Sequence, residues 1–279
     1  MAYKLVCIDV DGTLLTSKHK ITDRTKAILL AAHQQGVHIV ISTGRMYTDA
    51  EYFSNLIGVK SPVIASNGAF IKDKDANKVI YQDVLGENLS LELLAIFRKH
   101  RTKPYFCTPH KFYYGNMMFK FFYVASKLLG ARSNQLDMEY IFSWQQWQKV
   151  LNKEKDNIVK CEIIYRNVEL IKELRAEIQS IKQLEIVDSS RYNVEITRKG
   201  VSKGNAVAML ASFYGLRREE IVTIGDSEND LSMIEYAGLG IAMENAADNV
   251  KQKADFVTSS NDNEGVANAI NRFILGNRY

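Results

Sequence analysis

Asp9 and Asp11 stand two apart in the run Asp9-Val10-Asp11-Gly12-Thr13, directly after the apolar segment Leu5-Val6-Cys7-Ile8. If the strand predicted for that segment continues, side chains at i and i+2 share a face. Two carboxylates so placed repel each other unless a cation or a proton lies between them. A hard divalent ion such as magnesium takes oxygen ligands and keeps several waters. A third carboxylate, Asp226, follows another apolar run, Ile221-Val222-Thr223-Ile224, within Gly225-Asp226-Ser227-Glu228-Asn229-Asp230, and would complete the cage. Taken alone, Asp-Val-Asp-Gly reads equally as a solvated turn, since Asp and Gly favour turns. Lys203, in Gly200-Val201-Ser202-Lys203-Gly204, is ambiguous too. A lysine opening a helix is ordinarily a surface charge, slightly disfavoured there by the macrodipole.

The elements that must position these groups follow a simple alternation. Leu5 to Ile8 reads as a strand buried on both faces. A helix follows, with Thr22 placed to cap it, Ala27, Leu30 and Ala31 on its apolar face and Gly36 at its end. Val37 to Ile41 is a second strand, closing on Ser42-Thr43-Gly44-Arg45. After a helix near residues 47 to 57, Pro62-Val63-Ile64-Ala65 leads into Ser66-Asn67-Gly68. Such alternation predicts an α/β fold with a doubly wound, mainly parallel, Rossmann-like sheet. Ligands bind beyond the carboxyl ends of the strands in such sheets, and these strands end in small, polar or acidic residues.

From about residue 84 the pattern changes. Leu89, Leu93, Ile96 and Phe97 mark a helix, followed by an aromatic-rich stretch from Tyr105 to Tyr123. A strand over Val159 to Tyr165, a helix over Val168 to Ile181, and strands over Leu184 to Val187 and Tyr192 to Thr197 come next. The βαβ rhythm returns with a helix from Ser202 and strands at Ile221 to Ile224 and Leu239 to Met243. The chain therefore reads as a discontinuous α/β core, 1–83 and 199–279, interrupted by an α+β domain at 84–198.

Bulk properties narrow the function classes. The 279 residues are 46% apolar and 24% charged, near globular averages, with room for one large or two ordinary domains. A net charge of +4 with interspersed signs offers no basic tail for nucleic acid or anionic lipid. Arg98, Lys99, His100, Arg101 and Lys103 precede the aromatic stretch, but a small domain's core and a solvated helix end explain them better than a nucleic-acid platform does. Cys7, Cys107 and Cys161 form no CxxC pair, and the five histidines show no ligand spacing. No apolar run approaches the ~20 residues of a membrane span. The N-terminal residues enter a strand-like segment at once, without a signal core, so a cytoplasmic location and no membrane partner are expected. Neither GxxxxGK[ST] nor GxGxxG is present.

Four strand ends with matching chemistry in the right order decide between these readings, and here the sequence resembles the haloacid dehalogenase superfamily of phosphatases. Asp9-Val10-Asp11-Gly12-Thr13 matches its DxDGT motif, and Thr43 fits the Ser or Thr that closes the second strand. Lys203 fits the motif lysine, and Gly225 to Asp230 matches GDxxND. An insertion after the third strand, with Ser66-Asn67-Gly68 and Gly-Val-Ser-Lys-Gly, is similar to the Cof-type subgroup, which carries a large α/β cap. Arg198 stands where relatives often have proline, at a cap-to-core connection. The resemblance implies a magnesium-dependent phosphatase acting on small phosphorylated metabolites. In it Asp9 is the nucleophile, forming an aspartyl-phosphate, and Asp11 is the general acid and base. Asp9, Asp226 and Asp11, the last through its backbone carbonyl, would hold Mg2+. Asp230 would support them, Thr43, Gly44 and Lys203 would bind the phosphoryl oxygens, and Asn229 would orient the phosphate.

Rival readings lose ground on the same residues. A phosphomutase would use the same aspartyl-phosphate, but a large cap suits a hydrolase that closes over a small ester while admitting water. A dehalogenase has no use for the second aspartate, and an ion pump has a non-acidic residue at the position of Asp11 and needs membrane spans. A fold-only binding protein would not need Asp9, Asp11, Lys203 and Asp226 intact. Nothing in the sequence sets an oligomeric state.

Overall fold

The computed structural model describes residues 3–117, 137–190 and 192–276. In chain order it contains β1 (Leu5–Ile8), α1 (Asp23–Gln34), β2 (His38–Ser42), α2 (Tyr47–Ile57), β3 (Val63–Ala65), β4 (Phe70–Asp73) and β5 (Lys78–Gln82). There follow α3 (Gly86–Lys99), β6 (Tyr105–Cys107), β7 (Lys111–Tyr114), β8 (Asp137–Tyr140), α4 (Trp144–Lys153), β9 (Lys160–Ile164), α5 (Val168–Gln179), β10 (Leu184–Ser190) and β11 (Asn193–Arg198). The chain closes with α6 (Lys203–Phe213), β12 (Ile221–Gly225), α7 (Leu231–Tyr236), β13 (Leu239–Ala242), α8 (Asp248–Lys253), β14 (Phe256–Val257) and α9 (Gly265–Phe273). Two compact units result: Met1–Ile80 with Ser202–Tyr279, and Tyr81–Val201.

The first unit is an α/β fold on one sheet with strand order β14-β13-β12-β1-β2-β3-β4-β5. From β14 to β3 neighbouring strands are parallel, and β4 turns antiparallel to β3. The chain winds outward from β1 through β2 and β3, then returns to lay β12 on the other side of β1. The order reverses between β1 and β12, which is where such sheets open a crevice beyond their carboxyl ends. All four residues of β1 are fully buried, and Leu5, Val6 and Ile8 each contribute about 1.5–3 kcal/mol of transfer free energy.

α1 starts where Thr22 accepts the amide of Thr25, satisfying one of the free donors of the first turn. Its inward face differs from the expected one: Thr25, Leu29 and Ala32 are buried, whereas Ala27 is exposed. The run Ala27 to Ala32 is apolar all round the helix, so periodicity does not choose a face there; packing does.

The second unit is an α+β fold on a sheet of order β10-β11-β9-β6-β7-β8. The aromatic stretch divides between the two faces of this sheet. Phe106 and Tyr113 join Trp147, Leu93, Phe97 and Leu174 in the unit's core. Tyr105, Phe112 and Tyr114 lie on the opposite face and pack on one another, with centroids 5.6 and 6.5 Å apart. The part of the stretch from 118 to 123 lies outside the described residues.

Candidate active site

Asp9 follows β1 directly, and its amide donates to the carbonyl of Ile224 at 3.0 Å, extending the β1–β12 ladder by one residue. Regular strand geometry ends there. The turn Val10–Leu14 is closed by the Leu14 amide on the Asp9 carbonyl at 3.2 Å. The period of two therefore does not reach Asp11, and the expected shared face is not formed: Asp9 is buried, whereas the Asp11 side chain is 55% exposed. Gly12 is needed on two counts. Its φ of +78° is left-handed, and a Cβ there would lie 2.4 Å from Asp226 Oδ2. That close approach lets Thr13 Oγ1 donate to Asp226 Oδ1 at 2.6 Å, joining the ends of β1 and β12.

Lys203 opens α6 behind the cap Ser202, whose hydroxyl accepts from the Asn205 amide. It is not a surface charge but wholly buried, with Nζ donating to Asp9 Oδ1 at 2.6 Å and to Asp230 Oδ1 at 2.5 Å. Asp230 Oδ2 accepts the amides of Asp226 and Ser227, both at 3.0 Å. The second residue of the GDxxND motif is thus held by its last. Gly225 permits this, because a Cβ there would come within 2.5 Å of the Asp230 side chain.

One ammonium faces a surplus of carboxylates. Burial, with Asp230, Asp226 and Asp11 adding repulsion, pushes the Asp9 carboxyl well above its usual value against the pull of Lys203. Burial likewise raises Asp226 to about 6, although Thr13 and Ser227 hydrogen-bond to it. For Lys203, burial alone favours the neutral amine, but Asp230 and Asp9 outweigh it and keep the ammonium. Carboxylate oxygens of Asp9, Asp226 and Asp230 converge within 4.8 Å of one another. This set of hard oxygen donors with excess negative charge suits a divalent cation of the magnesium class. Asp230 already serves Lys203 and two amides, so Asp9 and Asp226 are the side chains best placed to hold the ion. The carboxylate of Asp11 is turned to Arg45.

The remaining candidates line the neighbouring loops. Thr43 follows β2, buried, with its amide on the Ile64 carbonyl at 3.0 Å and its hydroxyl accepting the Arg45 amide at 3.1 Å. Gly44 lies between them. Asn229 donates to Asn67 Oδ1 at 3.2 Å. Asn67 is buried in a turn where Ser66, Asn67 and Gly68 all have positive φ. Sequence reasoning assigned no role to Arg45 or Asn67. The adjacency of Arg45 to Thr43-Gly44, and of Asn67 to Gly68 at a strand end, were the available signals.

Comparison with known proteins follows the same lines. The model of the haloacid dehalogenase-like hydrolase family matches residues 6–270. The chain is 33% identical over 272 residues to 5-amino-6-(5-phospho-D-ribitylamino)uracil phosphatase YcsE of Bacillus subtilis (strain 168), covering 98% of this chain and 96% of that protein. Among solved structures, a haloacid dehalogenase-like hydrolase from B. subtilis superposes with a TM-score of 0.84 at 28% identity, covering 96% of this chain and 98% of the other. The subclass IIB sugar phosphatase BT4131 superposes with a TM-score of 0.78 at 25% identity, covering 97% and 98%. Among the described residues, no helix is long and apolar enough to cross a membrane.

Proposed function

The chain belongs to the haloacid dehalogenase-like hydrolases, in the Cof-type group, and is a phosphatase; from that premise we propose that it hydrolyses small phosphate monoesters, sugar phosphates or similar metabolites, through a phosphorylated Asp9. One observation carries this reading: a buried lysine clamps Asp9 at a strand end where Asp226 and Asp230 converge on it. Phosphoryl transfer needs mainly positioning and charge stabilisation, and this cluster is suited to both. Relatives named for a phosphorylated ribitylaminouracil and for sugar phosphates support a polyol or sugar ester as substrate.

An Asp9 carboxylate oxygen attacks phosphorus, the bond to the ester oxygen breaks, and Asp11 gives that oxygen its proton. Asp11, now a carboxylate, takes a proton from water as the water oxygen attacks phosphorus. The bond to Asp9 breaks, and inorganic phosphate and free Asp9 are released. Lys203 pulls Asp9 toward the ionised form that attacks, against the burial and the carboxylates that oppose it, and with the Thr43 hydroxyl and Gly44 amide it binds the phosphoryl oxygens. Asn229, steadied by Asn67, orients the phosphate, and Asp230 holds Lys203 and the Asp226 backbone. Asp9, Asp226 and the Asp11 carbonyl would hold magnesium, which when bound would neutralise charge on the transferring group.

The test is hydrolysis of p-nitrophenyl phosphate with magnesium, with EDTA, and by Asp9→Asn. Activity that needs magnesium and disappears in Asp9→Asn is the expected result. Full activity in metal-free buffer, or wild-type turnover by Asp9→Asn, overturns the reading.

A further inference from the structure

Two asparagines on the β13 and β14 side of the sheet hold the turn that follows β1. Asn245, three residues after β13, donates from Nδ2 to the Gly12 carbonyl at 2.8 Å. Its Oδ1 accepts the backbone amide of Asn261 at 2.9 Å. Asn261, four residues after β14, donates in turn from Nδ2 to the Leu15 carbonyl at 2.8 Å. The partners fix which way the Asn245 amide points: one of its atoms meets an N–H and the other a C=O, so reversing it would break both bonds. In a sheet ordered β14-β13-β12-β1, the chain beyond the two outer strands thus reaches past β12 to the end of β1.

The grip falls on one particular peptide. Gly12, with φ +78° and ψ −4°, has no Cβ and is the softest joint of the turn. Before it stands Asp11; after it stands Thr13, whose hydroxyl donates to Asp226 Oδ1 at 2.6 Å. A trans peptide is planar, so a partner that fixes the Gly12 carbonyl fixes the Thr13 amide with it. We infer that Asn245 is a positioning residue for the magnesium site, oriented by Asn261: it locks the Gly12–Thr13 peptide and so keeps the Asp11 backbone and the Asp226 carboxylate in register. The inference rests on the phosphatase reading above, in which the Asp11 carbonyl and Asp226 both hold the ion. Ligands carried on a loose turn must be ordered at each binding event, and groups that hold ligands in place from outside strengthen metal binding for that reason. The competing account is a pair of ties that serves only the fold. The same loop supplies a comparison, because Asp262 Oδ1 accepts the Ser17 amide at 2.8 Å, beyond the turn.

The experiment titrates magnesium against the full chain without substrate and takes Kd from the dependence of Tm on metal concentration. It compares wild type, Asn245→Ala, Asn261→Ala and Asp262→Ala, with urea midpoints in EDTA as the measure of the metal-free fold. Asn245→Ala should raise the magnesium Kd by about 10- to 100-fold, the usual loss when a group supporting a metal ligand is removed. Asn261→Ala keeps the backbone amide that orients Asn245 and should raise Kd by less. Asp262→Ala cuts the same loop from Ser17 and should leave Kd within about twofold of wild type, whatever it does to the urea midpoint. A Kd for Asn245→Ala within about twofold of wild type overturns the inference, as does an equal rise in Asp262→Ala. Should Asn245→Ala not fold, the same comparison is made between Asn261→Ala and Asp262→Ala, and equal Kd values there overturn it. A wild type whose Tm and p-nitrophenyl phosphate turnover both ignore magnesium overturns the metal reading itself and takes this inference with it.

Discussion

At the amino ends of β1 and β12, Glu220 accepts from Lys4 Nζ at 2.7 Å and from the Arg217 amide at 2.9 Å. These partners hold its carboxyl down to about 2. At the carboxyl ends of the same two strands, burial pushes Asp9 well up and Asp226 to about 6. The two ends are the length of one short strand apart, yet one carboxylate favours folding while the others oppose it. The difference lies in what each end must do. Glu220 has as many donors as it needs, whereas Asp9, Asp226 and Asp230 share one ammonium and leave charge for a ligand to satisfy. Sites that bind cations and phosphate hold such strain by design, and the rest of the fold must offset it.

The largest expected effect comes from removing that one ammonium. Lys203→Met should lower turnover of p-nitrophenyl phosphate by about 10²–10³-fold or more, the usual loss for a donor to developing charge. The second unit supplies the control. Lys160 on β9 is as deeply buried and is also held between two carboxylates, pairing with Glu162 and with Glu195 at 3.0 Å. Breaking either buried cluster should destabilise by about 3–5 kcal/mol in urea denaturation. Only Lys203→Met should abolish turnover; Lys160→Met should retain p-nitrophenyl phosphatase activity at a temperature where it is folded. Equal kinetic losses in the two variants would break the distinction between a chemical and a structural lysine.

Next in size is the metal. At a hundredfold excess over its Kd, magnesium should stabilise the wild type by about 2–3 kcal/mol, read as a rise in Tm that EDTA reverses. Asp226→Asn should lose most of that rise. The same variant sharpens the contrast in the metal-free protein, where removing a carboxylate already pushed up to about 6 should stabilise by about 1–2 kcal/mol. A metal-free Asp226→Asn less stable than wild type would show that its hydrogen bonds to Thr13 and Ser227 outweigh the repulsion.

How much of this was readable from the sequence depends on whether a residue's role is local. The strand Leu5–Ile8, the Thr22 cap and the small or acidic residues at strand ends are local signals, and they led to the right sheet. The hairpin β4–β5 and the helix α4 gave no such signal: β5 is half-exposed, and α4 is rich in Gln and Lys on its outer face. The burial of Lys203 was legible only through its motif partners, because Asp9 lies 194 residues away and Asp230 lies 27 away. Arg45 was passed over because its partner Asp11 is 34 residues away on another loop. The two faces of the aromatic stretch needed the register of β6 against β7, where Tyr105 faces Tyr114 and Phe106 faces Tyr113.

The smallest expected effect tests the quiet end of the sheet. The folded value of Glu220 is depressed to about 2 from the unfolded value of 4.5. Between those values the unfolded chain binds more protons than the folded one, so stability rises with pH across that window. The contribution is therefore fully present above about pH 4.5 and is lost as pH falls toward 2. Glu220→Gln removes the charge that Lys4 and the Arg217 amide satisfy, and its urea midpoint should lie below that of wild type at pH 7. The two midpoints should converge as pH is lowered from 4.5 toward 3. A gap that stays constant down to pH 3 would assign the loss to packing at the start of β12 rather than to the carboxylate. The two ends of the sheet would then differ in function without differing in how they treat charge.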